Sequence, residues 1–290
     1  MVVKQKILVT GANGQLGKEL QTLAEQFVIF DFIFLTREDL SIHDKVAVDA
    51  VFDQYVPQYC INCAAYTAVD KAETDRENAF LVNAEGAANL AAASKKCNTR
   101  FIHISTDYVF DGKGTSPYTV DAPTGPQSVY GESKLEGERK AQAGNDQSMI
   151  IRTSWVYSEF GKNFVKTMLR LMSEKPEINV VSDQVGSPTY AADLAKAIMQ
   201  IISSGEWHAG IYHYSNTGIT NWFEFASAIK EISNSSCVVK PIPGSAYPTP
   251  AKRPSYSAMD LSKIGEVYGI RPPEWKESLR VCISVLNAIK

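Results

Sequence analysis

The first half of the chain alternates short, unbroken apolar runs with longer stretches of helical period. The apolar runs predict strands at residues 7–10, 30–35, 59–63, 101–105 and 149–153. The stretches between them predict helices at 18–26, 46–54, 77–96 and 130–142. A strand that is apolar at every position is covered on both faces, and strand–helix alternation joins strands that run the same way. The expected fold class is α/β, a doubly wound parallel sheet between layers of helix.

Beyond residue 153 the rhythm loosens. Prolines cluster at Pro241, Pro243, Pro248, Pro250 and Pro254, and again at Pro272 and Pro273. Helices are expected at 163–172 and 222–232. We read residues 1–153 as one domain. Residues 154–290 read as a smaller, less regular domain for a substrate, with some segments returning to the first. Trp222, Phe223 and Phe225 share a helix and are expected to form a core stripe.

Composition narrows the class. At 290 residues, 44% hydrophobic and 21% charged, the chain can bury a core without disulfide or metal staples. A net charge of −3 with no basic block excludes a general grip on nucleic acid through phosphate neutralisation. The apolar run after the N-terminus is too short for a signal-peptide core, and no run nears the ~20 residues of a membrane span. A cytoplasmic protein with no membrane attachment is expected. Five scattered cysteines fit a reducing compartment. Cys60 and Cys63 match C-x-x-C, but on a strand residues three apart face opposite sides. Two separately packed thiols are expected there. His103, between Ile102 and Ile104, is expected to be a packed core histidine. His43, His208 and His213 show no metal-ligand spacing.

Chemistry enters with Gly11-Ala12-Asn13-Gly14-Gln15-Leu16-Gly17, directly after the first expected strand. Gly11 permits a tight turn, Gly14 lets a pyrophosphate approach the backbone, and Gly17 lets the helix pack close to the strand. The helix N-terminus offers free N–H groups to that pyrophosphate. A Rossmann-type dinucleotide site is the expectation. The second strand ends Leu35-Thr36-Arg37-Glu38, without the acidic residue in the usual place for a ribose 2′-hydroxyl. Arg37 suits a 2′-phosphate, which favours NADPH; Glu38 next door and a solvated Arg37 are the competing reading, with NADH as the alternative cofactor.

Tyr130-Gly131-Glu132-Ser133-Lys134 sets a phenol and an ammonium four residues apart, on one helix face. A phenol with a pKa of ~10 is a poor proton shuttle at neutral pH. A nearby cation stabilises its phenolate and draws the pKa down. Ser105 and Thr106 close the strand expected before it, and ligands of an open α/β sheet bind beyond the carboxyl ends of strands. A hydroxyl there can hydrogen-bond a substrate carbonyl.

Longer strings carry a resemblance. They are Ala64-Ala65-Tyr66-Thr67-Ala68-Val69-Asp70, Ser105-Thr106-Asp107-Tyr108-Val109-Phe110-Asp111-Gly112, Arg152-Thr153-Ser154-Trp155-Val156-Tyr157, Asp183-Gln184-Val185-Gly186-Ser187-Pro188-Thr189 and Tyr247-Pro248-Thr249-Pro250-Ala251-Lys252-Arg253-Pro254. Over nearly its whole length the chain resembles the extended short-chain dehydrogenase/reductase superfamily and, within it, the dTDP-4-dehydrorhamnose reductase family. The resemblance implies a Rossmann-type domain with a smaller C-terminal substrate-binding domain, and NADPH-dependent reduction of a nucleotide-sugar 4-ketone at C4. It implies Tyr130 as general acid, Lys134 as its partner and Thr106 on the keto oxygen. Gly14, Gln15 and Leu16 would contact the cofactor diphosphate, and Asp39 and Leu40 would lie by the adenine. Ala65, Tyr66, Thr67 and Ile104 would line the cofactor. Asp107 and Trp155 would touch the sugar, and Arg253 the nucleotide diphosphate. Asn83 would position backbone or relay protons through water.

Some relatives bind magnesium across a dimer through two glutamates. Glu19 is present here, but Ala192 stands at the second position, so no metal is expected, while a homodimer stays open. Sugar-nucleotide dehydratases carry a glutamate where this chain has Tyr108, so dehydration is not expected. Two other readings remain: a nucleotide-sugar epimerase or other reductase, and a non-catalytic NADP-binding regulatory subunit of the methionine adenosyltransferase type.

Overall fold

A computed structural model of the chain describes residues 4–288. Five strands of the first half are β1 (Gln5–Thr10), β2 (Phe30–Leu35), β3 (Tyr59–Asn62), β4 (Arg100–Thr106) and β5 (Met149–Thr153). They lie in one parallel six-stranded sheet with the strand Gly210–His213, in the order Gly210–His213, β5, β4, β3, β1, β2. The alternation of side chains along each strand divides the interior in two. Ile7, Val9, Ile61, Ile102 and Ile151 face helix α1 (Gln15–Ala24) and the helix Ala191–Ser204. Leu8, Cys60, Phe101 and Ile150 face the helices Lys45–Tyr55 and Gly86–Lys96. Both faces are therefore covered, which is why these strands are apolar throughout. Cys60 and Cys63 are free thiols packed against different cores.

The chain leaves β1 to one side for β2 and to the other for β3. That reversal opens a crevice beyond their carboxyl ends. The helix expected at 77–96 is broken in the middle. Helices Arg76–Phe80 and Gly86–Lys96 flank a π-helical turn at Leu81–Glu85. Periodicity cannot show one extra residue in a turn, and such bulges recur at functional sites.

In the second half, the helices Phe164–Glu174, Trp222–Ile232 and Trp275–Ala288 enclose a third core with the parallel strand pair Glu177–Val181 and Val238–Ile242. Asn163 and Asn221 cap the first two of these helices through their side-chain oxygens. Helix Ala191–Ser204 packs on α1, and strand Gly210–His213 extends the main sheet beside β5. No helix among the described residues is long and apolar enough to cross a membrane.

Candidate active site

The crevice between β1 and β3 is built by glycine. Gly11 sits at φ +67°, and a Cβ on it would lie 2.5 Å from the Ala64 nitrogen. A Cβ on Gly17 would lie 2.5 Å from the Gly11 oxygen. Any side chain at either position forces strand, turn and helix apart. Helix α1 opens at Gly14 with no capping side chain and no acidic residue in its first turn. The N–H groups of Gln15, Leu16 and Gly17 are thus left for an anion. A cleft of about 400 Å³ lies beyond, lined by Gly11, Gly14, Arg37, Leu40, Ala65, Tyr66 and Thr67, together with Glu38 and Cys63.

Three residues expected at the cofactor are committed elsewhere by their side chains. Asp39 Oδ2 accepts from the Thr36 nitrogen at 2.9 Å and from Thr36 Oγ1 at 2.8 Å, so it shapes the turn after β2. Gln15 Oε1 accepts from Asn163 Nδ2 at 2.9 Å, tying α1 to the second half of the chain. Leu16 is buried in the core, leaving only its backbone to face the cleft. Asn83, in the π-helical turn, grips the backbone of Tyr66. Its Oδ1 accepts from Tyr66 N at 2.8 Å, and its Nδ2 donates to Tyr66 O at 3.1 Å and to Ser133 Oγ at 2.9 Å.

Tyr130 and Lys134 lie on the helix Val129–Gly144, whose first turn is capped by Ser128. Of the two hydroxyls at the end of β4, only Thr106 faces the site. Ser105 Oγ donates to Glu138, which also holds Arg152 in a buried two-pronged ion pair at 2.9 and 2.7 Å. Thr106 Oγ1 donates to Asp107 Oδ1 at 3.0 Å. Burial pushes the Tyr130 phenol up to about 12, against the pull of the Thr106 hydroxyl. Burial draws Lys134 down to about 8, against the pull of Glu138. Lys134 Nζ donates to the Ile104 carbonyl at 2.6 Å. One of its three N–H groups is thus engaged by that backbone oxygen, and burial keeps the phenol protonated at neutral pH. The downward pull on Tyr130 expected from the spacing is absent: Nζ is directed to the Ile104 carbonyl, and the spacing does not show that direction.

A second cleft of about 420 Å³ is lined by Asp70, Tyr108, Phe164, Gln184, Trp222, Tyr247 and Arg253 among others. Tyr108 connects it to the reacting centre, edge-on to Tyr130 with ring centroids 5.5 Å apart. Arg253 Nη2 donates to Asp70 Oδ2 at 2.7 Å. Trp155, held at φ +48°, stacks on Trp222 with centroids 3.7 Å apart. Trp222 packs with Phe223 against the core that holds the fully buried Phe225, as expected, and its other side lines the cleft. Two buried polar atoms, Asp107 Oδ2 and Arg253 Nη1, have no hydrogen-bond partner among the described residues. Burial pushes the Asp107 carboxyl up to about 6.

The family model for the RmlD substrate binding domain matches residues 5–288. The spore coat polysaccharide biosynthesis protein SpsK of Bacillus subtilis (strain 168) is 45% identical over 275 residues, 95% of each chain. The dTDP-4-dehydrorhamnose reductase of Aggregatibacter actinomycetemcomitans is 40% identical over 285 residues, 95% of this chain and 97% of its own. The crystal structure of a dTDP-4-dehydrorhamnose reductase from Bacillus anthracis in complex with NADP has a TM-score of 0.94 at 39% identity, covering 98% of this chain and 100% of that one. The chain belongs to the dTDP-4-dehydrorhamnose reductase family.

As a member of that family the chain is an oxidoreductase of Rossmann-type fold. Sequence reasoning passed over four residues of its site. Asp70 and Tyr108 stood inside the resembling strings without an assigned role. Trp222 carried only the signal of a helix-borne aromatic, which core and cleft share. His103 is buried as expected, yet its ring lies under Lys134, with Nε2 3.5 Å from Nζ. Glu19, where some relatives bind magnesium, is turned inward and accepts from Ser158 Oγ at 2.6 Å.

Proposed function

We propose that this chain reduces the 4-keto group of dTDP-4-dehydro-L-rhamnose at C4, yielding dTDP-L-rhamnose, with Tyr130 as general acid. One observation carries the reading: Tyr130 stands beside Thr106 at the carboxyl end of β4 and edge-on to Tyr108, which lines the second cleft. A dinucleotide fits the first cleft, because the uncapped α1 N-terminus suits a pyrophosphate and Arg37 suits a 2′-phosphate. NADPH is the cofactor this favours, with NADH second, and the NADP held by the Bacillus anthracis relative supports it.

When bound, the dinucleotide supplies the hydride. The chain supplies the rest. Gln15, Leu16 and Gly17 hold phosphate through their backbone, while Asn83 steadies the Tyr66 segment along the cleft. Tyr130, protonated at neutral pH, donates its proton to the alkoxide that develops on the sugar oxygen. Thr106 stabilises that oxygen once its hydroxyl turns from Asp107. Arg253 Nη1, unpartnered and buried, suits a phosphate oxygen of the ligand, and Asp107 Oδ2 suits a donating sugar hydroxyl. Trp155 and Trp222 form an apolar wall for the sugar side of the second cleft.

The test follows NADPH absorbance with purified protein and dTDP-4-dehydro-L-rhamnose. Oxidation of NADPH in step with dTDP-L-rhamnose formation is expected. No oxidation, together with recovery of a bound methionine adenosyltransferase, would replace the enzyme by a regulatory subunit.

A further inference from the structure

Beneath Lys134 runs a buried chain of polar side chains that the proposed chemistry does not use. Thr10 Oγ1 donates to Asn62 Oδ1 at 2.7 Å. Asn62 Nδ2 stands 2.9 Å from His103 Nδ1, and His103 Nε2 stands 3.5 Å from Lys134 Nζ. All four residues are at most 2% exposed.

The direction of this chain is set at one end by the backbone. The Ala64 N–H, which can only donate, reaches Asn62 Oδ1 at 3.1 Å. Turning the Asn62 amide over would set its NH₂ against that N–H, so Oδ1 stays on this side and Nδ2 must donate to His103. His103 Nδ1 is then the acceptor. Burial holds the ring far below the usual histidine range, so it is neutral and carries its one proton on Nε2. That N–H points at Lys134.

We infer that Asn62 and His103 are positioning residues that set the charge state of Lys134, by presenting an N–H and not a lone pair to its amine. The inference rests on reading Tyr130 and Lys134 as the reacting pair. A neutral lysine accepts the Nε2–H, whereas an ammonium meets a donor there and keeps only the Ile104 carbonyl. The other ionisable groups around Lys134 are Glu138 on its own helix, Arg152 on β5 through Glu138, and Cys63 after β3. Glu138 favours the ammonium but is already shared with Ser105 and Arg152. Burial draws Lys134 down in the same direction. Because Ala64 also lines the dinucleotide cleft, the loop that meets the cofactor fixes the hydrogen-bond direction seen by the lysine.

The test needs no substrate. Nitrogen NMR of ¹⁵N-histidine-labelled protein reads the His103 tautomer, and ¹³C-lysine labelling reads the Lys134 titration, assigned with Lys134→Met. Wild-type protein is expected to carry the His103 proton on Nε2. In Asn62→Asp the new carboxylate accepts from Nδ1–H, the tautomer flips, and Lys134 titrates at least about one pH unit higher. His103→Gln, whose amide oxygen can turn to the ammonium, is expected to raise it in the same direction without adding charge. The pH profile of kcat/KM moves with it. A proton on Nδ1 in the wild type overturns the inference, even if both variants fail to fold. So does an unmoved Lys134 titration in folded variants. An inactive wild type with the expected spectra would sink the reductase reading and leave standing only the hydrogen-bond direction and its effect on the Lys134 titration.

Discussion

Arg253 and Asp70 are joined at 2.7 Å across most of the length of the chain, Nη2 donating to Oδ2. The ion pair pins the segment after Pro250 to the short helix Val69–Ala72 that follows β3, and it aims the rest of the guanidinium into the second cleft. Nη1 is left buried and unpartnered. A nucleotide diphosphate is the ligand such an arginine fits, since a fork of donors matches phosphate oxygens. Arg253→Ala is expected to raise KM for the nucleotide sugar on the order of 10- to 100-fold, the range of one charge-assisted hydrogen bond. The dissociation constant for NADPH, measured by fluorescence titration, should stay put.

Tyr130→Phe keeps the ring packed edge-on to Tyr108 and removes only the proton donor. Turnover should fall by roughly 100-fold or more, the usual contribution of a general acid, with NADPH affinity retained. Near-normal kcat in this variant would contradict the acid assignment.

Arg37 is exposed at the end of β2 and lines the dinucleotide cleft beside Glu38. Arg37→Ala should raise KM for NADPH about 10-fold while leaving that for NADH nearly unchanged, because only the former carries the 2′-phosphate. Steady-state kinetics with both cofactors decides it, and an equal loss for the two would remove Arg37 from the phosphate.

Glu19 is buried between α1 and the Ser158 turn, next to a second carboxylate, Glu159. Burial pushes it from 4.5 up to about 8, against the hydrogen bond from Ser158. The folded chain therefore keeps a proton that the unfolded chain gives up as pH rises through this interval. By linkage, the group costs stability as pH climbs from about 4.5 toward about 8. Glu19→Gln removes the penalty. Its melting temperature should match or fall below that of wild type near pH 4.5 and gain on it steadily up to pH 8. Thermal melts across the range would show parallel curves if Glu19 were ionised normally.

The main sheet could be read from sequence because its strands are buried on both faces and announce themselves as unbroken apolar runs. The expected strand at 30–35 and the expected helix at 222–232 coincide with Phe30–Leu35 and Trp222–Ile232 in the structure. Helix Ala191–Ser204 and strand Gly210–His213 escaped notice. The helix carries its signal in a polar stripe at Lys196, Gln200 and Ser203, which the reading passed over, and the strand is only four residues long. Within the site, Gly11, Gly17, Tyr130 and Lys134 were visible because each acts within one turn or one strand–helix joint. Asp70, Trp222 and His103 were not, because each acquires its meaning from a partner far away in sequence.

What the amino-acid order determined alone is whatever depends on neighbours a few residues apart: strand and helix periods, a glycine turn, a phenol and an amine on one helix face. Where those groups point was decided by packing. Lys134 reaches the Ile104 carbonyl, Gln15 reaches Asn163, and Ser105 is claimed by Glu138 while Thr106 is left for the site. Each of these is a choice among partners of similar chemistry, and only burial and distance in the folded chain separate them.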